Sequence, residues 1–367
     1  MHFRTSRTAL LRVLNAVSGA AQRNATMPIL QNVLVELKGQ AVRLTATDTE
    51  IEIRSIGEVT DGKEDGNITV PAKKLMDIVR ALPDGNDLTF KVDKEKVILT
   101  SGRGRYTFAT LPATEFPTTP KIGDVVKIEA SGKELRRLMN RVSIAMASGD
   151  VRTYLNGMLL EVRGNRLRCV ASDGHRMAIA EMTLDKPAAK DYTAIVPRKG
   201  VGEIIGVLPE DDTSVTLEAA TNHLRVVVNG TTVCARLIAG TFPNYEAVVP
   251  AVYPGDLVVE TSVLRESVRR ASLLANSKFH GLRLVIKGDT VRLHASHESQ
   301  GDAYEEVGVK TNLSDIEFGV NYQYLQAALE AIDGDEVRIQ LRDATTSLLL
   351  TGAGDTSVRH IVMPLRI

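Results

Sequence analysis

Asn32-Val-Leu-Val-Glu-Leu-Lys-Gly39, followed by Val42-Arg-Leu-Thr-Ala-Thr47, decides the fold, because the chain writes it three times. The second copy is Gly157-Met-Leu-Leu-Glu-Val-Arg-Gly164 with Leu167-Arg-Cys-Val-Ala-Ser172. The third is Gly281-Leu-Arg-Leu-Val-Ile-Lys-Gly288 with Val291-Arg-Leu-His-Ala-Ser296. Each reads as alternating strands joined at a turn where Gly supplies the backbone angle, as at Gly39, Gly164 and Gly288. The register persists downstream, where Val70-Pro-Ala-Lys73, Val196-Pro-Arg-Lys199 and Val320-Asn-Tyr-Gln323 match, as do Phe116-Pro117 and Phe242-Pro243. A domain-sized unit written three times is an architecture for building a symmetric object.

Working outward, the repeats predict domains at 1–122, 125–253 and 255–367, with linkers at 118–124 and 251–256. In the first repeat, helical periodicity covers 7–21 and 72–82. Alternation predicts strands near 31–38, 41–47, 50–56, 87–92, 95–101 and 104–111. A helix followed by three strands, twice per repeat, implies an α+β fold made of six βαβββ units. A chain of 367 residues gives each repeat enough length for its own core.

Hydrophobic residues make up 43% and charged residues 25%, an ordinary globular composition. No apolar run approaches the ~20 residues that cross a bilayer, and no signal-peptide pattern is present. Cys169 and Cys234 lie in alternating segments without metal-ligand spacing, which predicts buried, reduced thiols and a cytoplasmic location.

Net charge is zero, yet the charge is segregated. The segments 1–23, 72–81, 132–147, 198–208, 262–278 and 322–332 together hold 17 basic and 5 acidic side chains. In the third, Lys133, Arg136, Arg137, Asn140 and Arg141 share one helical face, and Leu135, Leu138, Met139 and Val142 take the neighbouring one. Five of six helices thus offer cations outward, the pattern of a surface for a polyanion; 322–332 does not join it.

Several constellations invite a chemical reading. Ser172-Asp-Gly-His-Arg176 puts carboxylate, imidazole and guanidinium in five residues, but no second cluster completes a nucleophile–base pair or a metal site. Gly200-Val-Gly-Glu-Ile-Ile-Gly206 has GxGxxxG spacing, which departs from the dinucleotide fingerprint and predicts small residues for close helix–sheet packing. Ser101-Gly-Arg-Gly-Arg-Tyr-Thr-Phe108 is a basic strand, with Tyr106 and Phe108 on one face. Glu298-Ser-Gln-Gly-Asp-Ala-Tyr-Glu-Glu306 is its acidic counterpart. Their complementarity predicts head-to-tail association, with Arg103 and Arg105 facing Glu298, Asp302, Glu305 or Glu306, beside Leu273 and Leu274. The ending His360-Ile-Val-Met-Pro-Leu-Arg-Ile367 is apolar, and suits either a docked terminal strand or an adaptable peptide groove.

Across its whole length the chain resembles the β subunit of bacterial DNA polymerase III, the replicative sliding clamps. The resemblance rests on Thr45-Ala-Thr-Asp-Thr-Glu50, Asp150-Val-Arg-Thr-Tyr-Leu-Asn-Gly-Met158, Ser172-Asp-Gly-His-Arg176, Val196-Pro-Arg-Lys-Gly-Val201, Phe242-Pro-Asn-Tyr245 and Val362-Met-Pro-Leu-Arg366. It implies a head-to-tail homodimer of clamp domains, with helices lining a central hole and sheets outside. Such a processivity factor holds duplex DNA by topology and has no catalytic residue, metal or cofactor of its own.

The resemblance further implies DNA-facing residues at Arg23, Lys73, Tyr154, Arg198 and Lys199, to which the basic helical face adds Arg136 and Arg137. It implies a partner-peptide pocket of Arg152, Leu155, Ser172, Gly174, His175, Arg176, Met177, Pro243, Val248, Asn321, Tyr324, Ser347, Val362, Met363, Pro364, Leu365 and Arg366. Short linear motifs of the clamp loader, the polymerase III alpha subunit, translesion polymerases and repair proteins would dock there. Lys74 joins Arg103, Arg105, Tyr106, Phe108, Leu273, Leu274, Glu298, Asp302, Glu305 and Glu306 at the dimer contact. Asn24, Thr153 and Ala247 depart from the family pattern. A hydrolase using Asp173 and His175, and a sequence-specific DNA-binding regulator, are the competing readings.

Overall fold

The computed structural model describes residues 1–22, 26–119, 122–249 and 252–366. Six α-helices occur among them: α1 (Arg7–Val17), α2 (Ala72–Ala81), α3 (Gly132–Ser143), α4 (Arg198–Val207), α5 (Thr261–Ser272) and α6 (Tyr322–Ala331). A short strand precedes each helix and three hairpin-linked strands follow it, as the βαβββ reading predicts, and the first and third repeats each add a short strand, Thr60–Lys63 and Lys310–Thr311. Ser6 caps α1 by accepting from the Ala9 amide at 3.1 Å, and Asn321 caps α6 through the Gln323 amide at 2.9 Å. The apolar stripes are buried where periodicity puts them: Leu10, Val13, Leu14 and Val17 on α1; Leu135, Leu138, Met139 and Val142 on α3.

The chain divides into two compact units. The first comprises Met1–Leu135, Ala188–Lys190 and Lys199–Leu237; the second comprises Arg136–Pro187, Asp191–Arg198 and Ile238–Ile367. This division passes through the second repeat because the sheets run across repeat borders. In the first unit an eight-stranded antiparallel sheet joins Ile51–Glu58 of the first repeat to Thr231–Arg236 of the second. In the second unit a nine-stranded sheet joins Arg176–Thr183 of the second repeat to Val358–Val362 of the third.

Both junctions use one register. Ile51 stands opposite Ala235, and Arg176 stands opposite Val362. These are equivalent places, because Thr47–Glu52 and Ser172–Met177 are matching pairs in the preceding hairpins. Two further sheets, of five and four strands, each end on an unpaired edge among the described residues: Gly104–Ala109 in the first unit and Gly301–Gly308 in the second. Stacked Phe3 and Phe90, with ring centroids 4.8 Å apart, anchor the core beneath the five-stranded sheet.

Several expectations need correction. Residues His2–Ser6 form a strand, so Arg4 belongs to no helix, and Lys278 lies beyond the end of α5. The linker expected at 251–256 gives way to a strand from Gly255, whose Gly255–Leu341 pairing continues the nine-stranded sheet. On α4, a Cβ added at Gly202 or Gly206 would meet open space, so close packing does not explain those two glycines. Cys169 and Cys234 are free and buried; burial pushes their thiols up to about 12 and about 11.

Candidate functional site

The strand Arg176–Thr183 begins at a tight turn that the sequence 172–176 builds for itself. Asp173 Oδ1 accepts from the amides of His175 at 2.9 Å and Arg176 at 3.0 Å, while Oδ2 accepts from Arg176 Nε at 3.1 Å. Ser172 Oγ donates to the Arg176 carbonyl at 2.8 Å and accepts from the Gly174 amide at 3.1 Å. Gly174 needs its φ of +88°, and a Cβ there would lie 2.9 Å from Arg152 Nη2. Asp173 and Ser172 are thus engaged in holding a turn, which leaves neither as a ready base or nucleophile toward His175.

That turn sends Arg176 toward α6. Its guanidinium lies over the Tyr324 ring of α6, 4.5 Å from the centroid. Burial, with the Asp173 carboxylate nearby, raises the Tyr324 hydroxyl above its ordinary value. On the near side Asp150 grips Arg152 through two side-chain bonds of 3.0 and 2.9 Å, and this pairing holds its carboxyl down at about 2. Leu155, Met177 and Val362 are buried, Met177 beside Ile361 in one core and Val362, opposite Arg176, in the core on the other face of the sheet, while Val248 and Met363 stay 45% and 46% exposed. The Met363 amide donates to the His175 carbonyl at 2.9 Å, and Leu365 donates to Gly319 at 2.8 Å. The chain end is therefore both a docked strand, through Val362, and a half-exposed apolar lip beyond it. Tyr154 and Phe242 meet edge to face, with ring centroids 6.4 Å apart.

The expected DNA-facing side chains are partly committed elsewhere. Lys73 is exposed on α2. Arg137 and Arg141 both bind Asp333, Lys199 binds Asp48, and Arg198 donates to the Met146 carbonyl at 2.6 Å. On α1, Arg7 turns inward to the carbonyls of Val79 at 3.0 Å and Arg80 at 2.9 Å. Arg23 and Asn24 lie outside the described residues.

At the free edges, alternation sorts the acids of 298–306 onto two faces. Glu305 turns to the helix side, where Arg270 of α5 binds it at 2.6 Å. Asp302, Tyr304 and Glu306 share the other face with His294 and Arg292 of the neighbouring strand. Arg103 and Arg105 are exposed on the opposite edge strand's segment, and Phe108 is buried.

Residues 1–120, 129–244 and 246–366 match, in turn, the N-terminal, central and C-terminal domain families of the DNA polymerase III beta subunit. The beta sliding clamp of Pseudomonas aeruginosa is 39% identical over 367 residues, covering 100% of both chains; that of Escherichia coli K12 is 34% identical with the same coverage. The chain belongs to the DNA polymerase III beta subunit family, the beta sliding clamps.

Solved structures agree with the assignment. The beta subunit from P. aeruginosa superposes with a TM-score of 0.95 at 39% identity, with 100% of both chains covered. A P. aeruginosa sliding clamp bound to griselimycin gives 0.96 at the same identity and coverage. The beta sliding clamp of Caulobacter crescentus gives 0.94 at 30% identity, again over 100% of both chains. As a beta clamp, the chain has three clamp domains of mixed helix and sheet.

One feature of this clamp escaped the sequence reading. Arg168 binds Glu181 at 2.9 Å, Tyr245 at 2.8 Å and Glu246 at 3.0 Å, and Tyr245 donates to Glu161 at 2.5 Å. The sheet register sets Glu161 and Glu181 on either side of Arg168, and the segment Tyr245–Val248, distant in sequence, brings Tyr245 and Glu246 to them.

Proposed function

We propose that two copies of this chain close head to tail into a ring that encircles duplex DNA and tethers a polymerase to it. The observation that carries this reading is the pair of free sheet edges. Each internal junction pairs the third strand of a first half-repeat with the third strand of the next repeat's second half. Applying that rule again leaves Gly301–Gly308 of one copy for Gly104–Ala109 of the other. Two such contacts pair both of these edges in each copy, and a heterologous contact that closes gives a ring.

The domains are 1–122, 125–253 and 255–367, and their helices face the enclosed DNA. Lys73, Arg136, Arg137, Tyr154, Arg198 and Lys199 contact phosphates without reading sequence, and Arg23 belongs with them by family resemblance. Several of these cations already have carboxylate or carbonyl partners, which keeps their hold on DNA weak enough for sliding. The groove between Arg152, Arg176, Tyr324 and the 362–366 lip takes short linear motifs from the clamp loader, the polymerase III alpha subunit, other polymerases and repair proteins. Catalysis belongs to those partners.

A disulfide tests the ring. Tyr106 and Ala303 are the counterparts of Val233 and Ile53, which face each other at the first junction. Tyr106→Cys with Ala303→Cys, oxidised, should run as a covalent two-chain circle, with the buried native thiols silent. A ladder of longer species would mean an open filament, and an unlinked chain would mean that the edges do not meet.

A further inference from the structure

The third-repeat edge carries a ring pair that the established clamp activity does not explain. Tyr304 stacks on His294, with centroids 4.2 Å apart and planes 4° from parallel. Its other side is open: Tyr304 is 63% exposed. Asp302 and Glu306 flank it two residues away on either side, on the same face of the strand, and Glu306 also binds Arg292 of the neighbouring strand at 2.9 Å. Asp302 is held below the ordinary carboxyl value by bonds from Ser296 and His294, so it stays ionised. An aromatic face between two carboxylates is a seat for a planar cation.

The shared register names the cation. Arg54 opposes Thr232 at the first junction, and Ile179 opposes Arg359 at the second. Counting from Ser296–Asp302, which matches Ser172–Met177, makes Tyr304 the counterpart of Ile179. Counting from the hairpin pairs Ser101–Gly104 and Val228–Thr231 makes Arg105 the counterpart of Thr232. A third junction in this register sets Arg105 of one copy opposite Tyr304 of the other. Directly opposed residues share a face of the sheet. Arg105 is exposed, and among the described residues it has no recorded partner.

We propose that the Tyr304 ring, backed by His294 and flanked by Asp302 and Glu306, is the seat for the Arg105 guanidinium of a second copy of this chain. The inference rests on the head-to-tail ring proposed above. It assigns partner recognition to a stacked cation on one face, while Glu305, bound to Arg270, stays with its own subunit. Phe108, buried in its own subunit, falls opposite Gly301, which carries no side chain to meet it.

The test is a double-mutant cycle on ring dissociation in the full-length protein, followed by dilution in mass photometry. One stacked cation is worth about threefold per contact, so the two contacts of a ring give about tenfold. Tyr304→Ala and Arg105→Ala should each raise the dimer dissociation constant by about that factor. The double variant should be no weaker than either single one, and Tyr304→Phe should stay near wild type. Additive losses, or a Phe variant as weak as Ala, would overturn the seat while the wild-type dimer left the ring reading standing. A monomeric wild-type protein would overturn both.

Discussion

Arg176 and Tyr324 tie the second repeat to the third: the guanidinium of one lies 4.5 Å from the ring centroid of the other. Asp173 holds the Arg176 Nε from behind, so the pair forms a wall whose position is set by the 172–176 turn. Replacing either Arg176 or Tyr324 by Ala should weaken binding of a peptide from the cognate polymerase III alpha subunit by about 10-fold. Fluorescence anisotropy on the intact dimer measures it. Unchanged affinity in both variants would remove this wall from the site.

The chain end gives a second handle. Val362 is buried in the sheet, whereas Met363 is half-exposed and Leu365 bridges to Gly319. Deleting residues 363–367 should cost peptide affinity by more than about 10-fold, since an apolar lip supplies contact area to the bound motif. Ring formation should persist, because neither free edge strand is touched. Loss of the dimer in this variant would show that the lip is structural.

Asp48 predicts a graded loss of stability. Its Oδ1 accepts from the amides of Glu50 at 3.0 Å and Ile51 at 2.7 Å, and Oδ2 pairs with Lys199. Asp48→Asn keeps the turn bonds and loses the charge, whereas Asp48→Ala leaves buried donors unmatched at about 1–3 kcal/mol. Urea unfolding should rank the wild type first, Asn next and Ala last. A smaller loss in Ala than in Asn would contradict the turn role.

His360 sets a pH dependence. It is 3% exposed on the strand that leads to the groove, between Ala178 and Leu350. Burial, with Arg176 and Arg141 adding repulsion, lowers its pKa from 6.5 to about 3. Between those values the unfolded chain binds the proton and the folded chain does not, so stability rises with pH. The contribution is complete above about pH 6.5 and is lost as pH falls toward 3, by up to about 1.4 kcal/mol per unit. His360→Leu should flatten that slope in denaturant titrations between pH 4 and 6.5. An unchanged slope would place the acid sensitivity elsewhere.

How far the sequence could be read follows from which signals are local. Hairpins such as 32–47 and the buried stripe of α3 were legible because periodicity reports burial within a few residues. The groove's membership came through family resemblance, since Arg176 meets Tyr324 only after the second and third repeats share a sheet. Counting charge along the chain overstated the helical cations: Arg4 sits on a strand, and Arg7 is spent on carbonyls of the α2 region. The two faces of 298–306 were recoverable from strand alternation alone, which separates Glu305 from Tyr304 and Glu306. Hairpin register alone sets Glu161 and Glu181 beside Arg168, but Tyr245 and Glu246 reach it from a segment distant in sequence, which no local pattern reports.

The central claim is topological linkage, and DNA retention tests it most directly. The protein is loaded by its cognate loader onto a nicked circle, and half of the sample is then linearised. High salt strips the electrostatic contacts from both. A ring predicts survival on the circle and loss from the linear form. Equal loss from both would contradict it and leave only charge-driven binding.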